Sequence, residues 1–341
     1  MLYRHAPTFA VGHGCAAEWD WTPPEPGAID ETQTARSDEV RTAIVPIHEL
    51  LLTDSDPSVD VPTMNWLATA DRTVVLERLY EFSSKYRSWI DGPLTNEFAR
   101  LAGGRFAGVA DEQVKACSSA ARRISAGIDL LNDVARPEIW EAFRLANEAM
   151  ALQRARTIWF RDGRVGAPDV AEPRWRAFQL GFILLTLSGL VDPQHDDREV
   201  ADVLWFPTGG GKTEAYLGLV AFTTFLRRLR ASASGAPQLG GGVTVLMRYT
   251  LRLLTLQQFE RAASLICAME LIRQRRQVQL GPDVISLGMW SVRLQLPTLF
   301  RRRKIVSLIL PTARPCRPRT PFSSAHVPGV VQRWTTAHTR S

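Results

Sequence analysis

The stretch "ADVLWFPTGGGKTEAYLGL", Ala201 to Leu219, decides the fold. Its first six residues, Ala201 to Phe206, form an apolar run of the length of a buried strand. Pro207 and Thr208 end the run, and Gly209, Gly210 and Gly211 follow. Lys212 and Thr213 then open an amphipathic helix. Three glycines let a backbone turn tightly and aim its N–H groups inward at a phosphate. The helix N-terminus adds the positive end of its dipole at the same spot. Lys212 supplies a point charge for the β and γ phosphates, and the Thr213 hydroxyl is a ligand for Mg²⁺. A phosphate loop for ATP and Mg²⁺ is therefore expected, with Pro207, Thr208, Gly209, Gly210, Gly211, Lys212 and Thr213 binding the cofactor. Lys212 and Thr213 are its catalytic candidates. The spelling departs from the general GxxxxGK[ST] form, because Phe206 stands where the first glycine would be.

Outward from this stretch the pattern alternates. Trp175 to Leu190 reads as a helix, Ala201 to Phe206 as a strand and Lys212 to Arg230 as a helix. Val243 to Met247 reads as a strand after Gly240 to Gly242, Leu253 to Arg276 as a long helix, and Asp283 to Met289 as a third strand. Short apolar strands alternating with helices predict an α/β domain with a parallel sheet and right-handed crossovers. Upstream, residues 62–165 predict helices. One is capped by Asp71, one opens at Asp111 and Glu112, and one runs from Glu138 to Phe160 behind Pro137. The Gly- and Pro-bearing segment Arg161 to Pro173 reads as a domain boundary. Residues 1–60 read as an irregular arm, with Trp19 to Gln33 a loop or extended arm and Val40 to Thr53 a strand or short helix. The domains expected are thus 1–60, a helical accessory domain 61–165, the α/β domain 174–290 and a disordered basic tail 291–341.

The segment PTGGGKT resembles motif I of superfamily 2 helicases. "RYTLRLLTLQQFERAA", after the Val243 to Met247 strand, resembles motif Ia, which implies nucleic-acid backbone contacts at Thr250, Arg252 and Gln257. Such contacts position a strand without reading its sequence. "RWRAFQLGF" lies about 30 residues before motif I, where superfamily 2 proteins often hold adenine, and implies that role for Phe178 and Gln179. Over residues 174–277 the longer strings resemble the helicase subunit of DISARM-type phage-defence systems. The resemblance implies a RecA-like domain, an ATP-driven enzyme acting on DNA, and partner subunits of a defence system.

A motor of that family also needs a DEAH-like acid pair after a strand and a second RecA-like domain. The pairs Asp38-Glu39 and Asp111-Glu112 precede motif I, and no carboxylate side chain follows Asp283. The chain is therefore expected to bind nucleotide but not to hydrolyse it alone.

Of 41 basic residues only four are lysines, so Lys212 is a notable event in an arginine-rich sequence. The net charge of +6 is uneven. Residues 284–341 carry ten basic and no acidic side chains, and the rest is slightly acidic, with 31 basic against 35 acidic. The composition shifts abruptly after Trp290, which predicts a frameshift there with about 50 out-of-frame residues. Alternatives are a non-enzymatic, pseudogene-like fragment, or a short P-loop protein whose basic tail, with Arg301 to Lys304, binds nucleic acid. Cys15, Cys117, Cys267 and Cys316 lack metal-ligand spacing, which argues against zinc and disulfides. No signal peptide or span of about 18 apolar residues is read, so a cytoplasmic protein without a membrane partner is expected.

Overall fold

A computed structural model of the 341-residue chain describes residues 8–22, 36–43, 59–100, 103–104, 106–206, 209–249, 252–289 and 306–308. Two strands, β1 (Ala16–Thr22) and β2 (Arg36–Ala43), pair antiparallel with Ala16 opposite Ala43 and Trp19 opposite Val40. Of the segment Trp19 to Gln33, read as a loop or extended arm, residues 19–22 are strand and 23–33 lie outside the described residues. The alternation of Trp19 and Trp21 with charged residues is a strand's period of two, and the prolines begin only at Pro23. Of the segment Val40 to Thr53, residues 40–43 are strand and the rest lies outside the described residues.

Helices dominate the described residues beyond β2. They are α1 (Met64–Thr69), α2 (Arg72–Trp89), α3 (Thr95–Ala99), α4 (Ala107–Asn132), α5 (Pro137–Arg161), α6 (Ala177–Val191), α7 (Lys212–Ala233), α8 (Arg252–Arg275) and α9 (Gln277–Leu280). Their starts obey local chemistry. The Thr63 hydroxyl accepts from the Trp66 amide at the start of α1 (3.2 Å). Asp71 occupies the N-cap of α2, although its side chain makes no capping bond. Pro137 opens α5, where its missing N–H costs nothing. α4 starts four residues before the expected Asp111.

The helices share one apolar core that runs without a break from Val61 to Ile285. Leu79, Ile128, Phe143, Met150, Leu184, Phe222 and Phe225 are completely or almost completely buried in it. α4 and α6 approach closely at Gly127, where a Cβ would lie 2.0 Å from the Leu184 carbonyl oxygen. One polar chain crosses the core with its groups paired. The Trp175 indole N–H donates to Asn147 Oδ1 (2.7 Å), and Asn147 Nδ2 donates to the Phe143 carbonyl (2.9 Å). The residues 61–165 and 174–285 are therefore joined by apolar packing and by this bond.

The expected parallel sheet is not found among the described residues. Ala201 to Phe206 and Val243 to Met247 form no strand. Only Leu287–Met289 forms a strand in the third segment. This β3 pairs antiparallel with β4 (Val306–Leu308), Gly288 opposite Ser307. The two segments expose apolar side chains: Val203 is 85% exposed, Trp205 65%, Val243 75% and Leu246 82%. An apolar run becomes a buried strand only beside a partner strand, and neither segment has one here. Ion pairs and side-chain bonds pin the neighbouring chain instead. Arg123 of α4 grips Asp202 through two bonds (2.6 and 2.7 Å) and Asp197 through a third (2.8 Å). The chain entering β3 is held by the buried Arg228, which donates to the carbonyls of Leu280 (3.0 Å) and Asp283 (2.6 Å). The expected tail, 291–341, lies outside the described residues apart from β4.

Candidate functional site

The turn into α7 has the backbone that its sequence demands. Gly209 and Gly211 adopt positive φ of 83° and 88°, a region costly for residues with a Cβ. The turn is closed on one side and open on the other. A Cβ at Gly211 would lie 2.6 Å from Gln179 Nε2, whereas one at Gly209 would meet nothing within 4 Å. No side chain caps the N-terminus of α7, and the Glu214 amide donates to the Gly211 carbonyl (3.2 Å).

α6 braces the closed side. Gln179, buried, donates from Nε2 to the Gly211 carbonyl (2.8 Å) and accepts at Oε1 from the Arg176 amide (2.8 Å). The Arg176 guanidinium donates to the Gly210 carbonyl (2.9 Å). Phe178, one residue before Gln179, stacks its ring on Phe206, with centroids 3.9 Å apart and planes 15° apart. The Lys212 ammonium folds back to donate to the Phe206 carbonyl. Both expected adenine-side residues thus stand beside the loop. The ring of Phe178 covers the residue before the loop, and both ends of the Gln179 amide are bonded to backbone. Thr213 is half-buried in the first turn. Pro207 and Thr208 lie outside the described residues.

The next residue, Glu214, was not a sequence candidate. It is buried, and its Oε1 accepts from Arg154 of α5 (3.3 Å) and from Arg261 of α8. Its Oε2 is buried without a hydrogen-bond partner and faces the Gly211 Cβ position at 3.3 Å. Lys212, Arg176, Arg154 and Arg261 therefore gather around the loop and first helical turn, with the Glu214 carboxylate among them. In sequence, an acid in the first turn of a helix is ordinarily explained by the dipole, and Arg154 and Arg261 lie 60 and 47 residues away. Nothing local marks the three as a unit.

Of the motif Ia candidates, Arg252 is the first residue of α8 and Gln257 is exposed on the same helix. Nothing is described of the Arg252 side chain, and Thr250 lies outside the described residues. Arg261 follows Gln257 by four residues, about one helical turn. Its bond to Glu214 brings this half of α8 to the glycine turn.

No family model matches the chain. The chain is 36% identical over 304 residues to the DISARM protein DrmA of Bacillus paralicheniformis, an alignment that covers 85% of this chain and 26% of that protein. The chain spans about a quarter of the length of this curated relative. Among the described residues, no helix is long and apolar enough to cross a membrane.

Proposed function

We propose that the chain is a DISARM-type phage-defence component and the nucleotide-binding, N-terminal part of a superfamily 2 DNA helicase or translocase. The similarity to DrmA supports the defence role. The observation that carries the nucleotide reading is the Gly209–Gly211 turn, walled by Gln179, open at Gly209, and leading into an uncapped helix that begins with Lys212. These residues fit the phosphates of a magnesium nucleotide. Lys212 would exchange the Phe206 carbonyl for phosphate oxygens, Thr213 would offer its hydroxyl to Mg²⁺, and Thr208 to Gly211 would supply backbone N–H donors, with Pro207, which has no N–H, shaping the entry to the turn. ATP bound there supplies the free energy of phosphoryl transfer.

In the same reading, Phe178 lies on the base side and Gln179 holds the loop. Thr250, Arg252 and Gln257 meet the DNA backbone, and further defence subunits complete the machine. The α/β segment is the first part of a RecA-like domain, its segments 201–206 and 243–247 awaiting sheet partners. Hydrolysis is not assigned to this chain by itself, because no adjacent acid pair follows the loop in its sequence. Binding of a fluorescent ATP analogue with Mg²⁺ tests the reading. Lys212→Ala is expected to weaken it by more than about tenfold, the scale of a lost charge-assisted contact. Equal binding by the variant would sink the phosphate-loop assignment.

A second reading concerns residues 291–341, whose lack of any acidic side chain favours an out-of-frame origin. Translating the encoding DNA past Trp290 in all frames tests it. A DEAH-like box in another frame is expected, and its absence would make the basic segment genuine.

A further inference from the structure

Glu214 is unusual for a structural ion pair. Two guanidinium groups from two different helices share one of its oxygens, while the other is buried without a donor and faces the phosphate loop. A purely structural carboxylate would be expected to satisfy both oxygens, since a buried unpaired one is destabilising.

The geometry shows what the group joins. α5 and α8 run antiparallel: Arg276, just past α8, pairs with Glu141 of α5 (3.0 Å), and Arg154 and Arg261 meet at Glu214. The two helices are thus tied to each other at one end directly. Farther along, among the described residues, their ion pairs meet at the first turn of α7, the turn that carries Lys212 and Thr213. Beyond Arg261, the same end of α8 carries Gln257 and Arg252.

We propose that Glu214 is a positioning residue that couples nucleotide occupancy of the phosphate loop to the nucleic-acid-facing end of α8, with Arg154 of α5 as the fixed anchor. When the loop closes on phosphate, the first turn of α7 shifts. The Glu214 carboxylate carries Arg261 with it, and Arg154 holds the pivot. The helical segment 61–165 is then part of the motor's transmission rather than a separate appendage. This inference rests on the phosphate-loop reading and on DNA contact near the start of α8.

The test uses the whole chain and a labelled single-stranded oligonucleotide, with its affinity measured with and without saturating Mg-ATPγS. The parent is expected to show a nucleotide-dependent shift in DNA affinity of at least about fivefold. Glu214→Gln is expected to bind each ligand alone nearly as the parent does, but to reduce the shift to within about twofold of none. Loss of coupling with both bindings kept is a result that a merely structural role would not produce. A shift retained in Glu214→Gln overturns the inference and leaves the function reading standing, as does a parent that binds both ligands without any shift. A parent that binds no nucleotide overturns both. If Glu214→Gln does not fold, Arg261→Gln, at a side chain one-third exposed, carries the same comparison. A shift preserved there is equally fatal.

Discussion

Gln179 shows how far a residue's role can be read from its letter. The resemblance implies an adenine contact; in the structure both ends of its amide bond to backbone, one at Arg176 and one at Gly211. The glycines of the loop are legible in sequence because positive φ selects them and few other residues. The brace behind them is not, because an amide that bonds backbone 32 residues away leaves no local pattern. The same holds for Glu270, which reads as one more charge on α8. It is buried with Arg273, which donates to both of its oxygens (2.8 and 2.6 Å), and it accepts from the Ile285 amide (3.0 Å). Burial by itself would raise its pKa, but the Arg273 guanidinium and the Ile285 N–H outweigh it and hold the carboxyl below the ordinary range. A carboxyl so depressed contributes stability that is present above its unfolded value and lost as pH falls through its folded one. Glu270→Gln is therefore expected to cost about 3 kcal/mol at pH 7. The gap to the parent should narrow on acidification below about pH 4.3, the unfolded value. Urea midpoints at pH 7 and pH 3.5 check this, and a gap that stays constant with pH would remove the carboxylate's charge as its cause.

The elements were legible where a cap or a breaker marks them. Pro137 fixes the start of α5, and Gly211 fixes that of α7, so both begin within a residue of expectation. α4 begins earlier than Asp111 because Gly103 and Gly104, not the acidic pair, precede its first turn. The crossing of α4 and α6 could not be read, because Gly127 looks like any helical glycine until Leu184 is placed against it. Gly127 and Gly108, both in α4, separate propensity from packing. A Cβ at Gly108 meets nothing within 4 Å, whereas one at Gly127 would meet the Leu184 carbonyl, which cannot rotate away. Gly108→Ala is expected to leave stability unchanged or raise it by up to about 1 kcal/mol. Gly127→Ala is expected to lose about 2 kcal/mol, as α4 and α6 are forced apart. Denaturant unfolding followed by circular dichroism measures both. Equal effects would mean that the two helices do not touch as described.

At the scale of the whole molecule, the sequence announces a sheet that the described residues do not assemble. Apolar runs record that a strand is meant to be covered, but not which chain covers it. Helices close their own backbone hydrogen bonds, whereas parallel strands depend on partners distant in sequence. The helical part of the fold was therefore readable from local pattern, and the sheet was not. The consequence is physical. Segments 201–206 and 243–247 join no sheet and present Val203, Trp205, Val243 and Leu246 to solvent. Exposed apolar segments recruit other chains. The isolated chain is expected to bind a hydrophobic dye and to self-associate as its concentration rises. Trp205→Ser combined with Leu246→Ser should reduce both effects without lowering the unfolding midpoint, since neither side chain is buried. Light scattering over a concentration series, with dye fluorescence on the same samples, decides the matter. If the double variant associates as the parent does, contact through these segments is not the cause. If it also melts earlier, those side chains are packed against the helices rather than held open for a neighbouring strand.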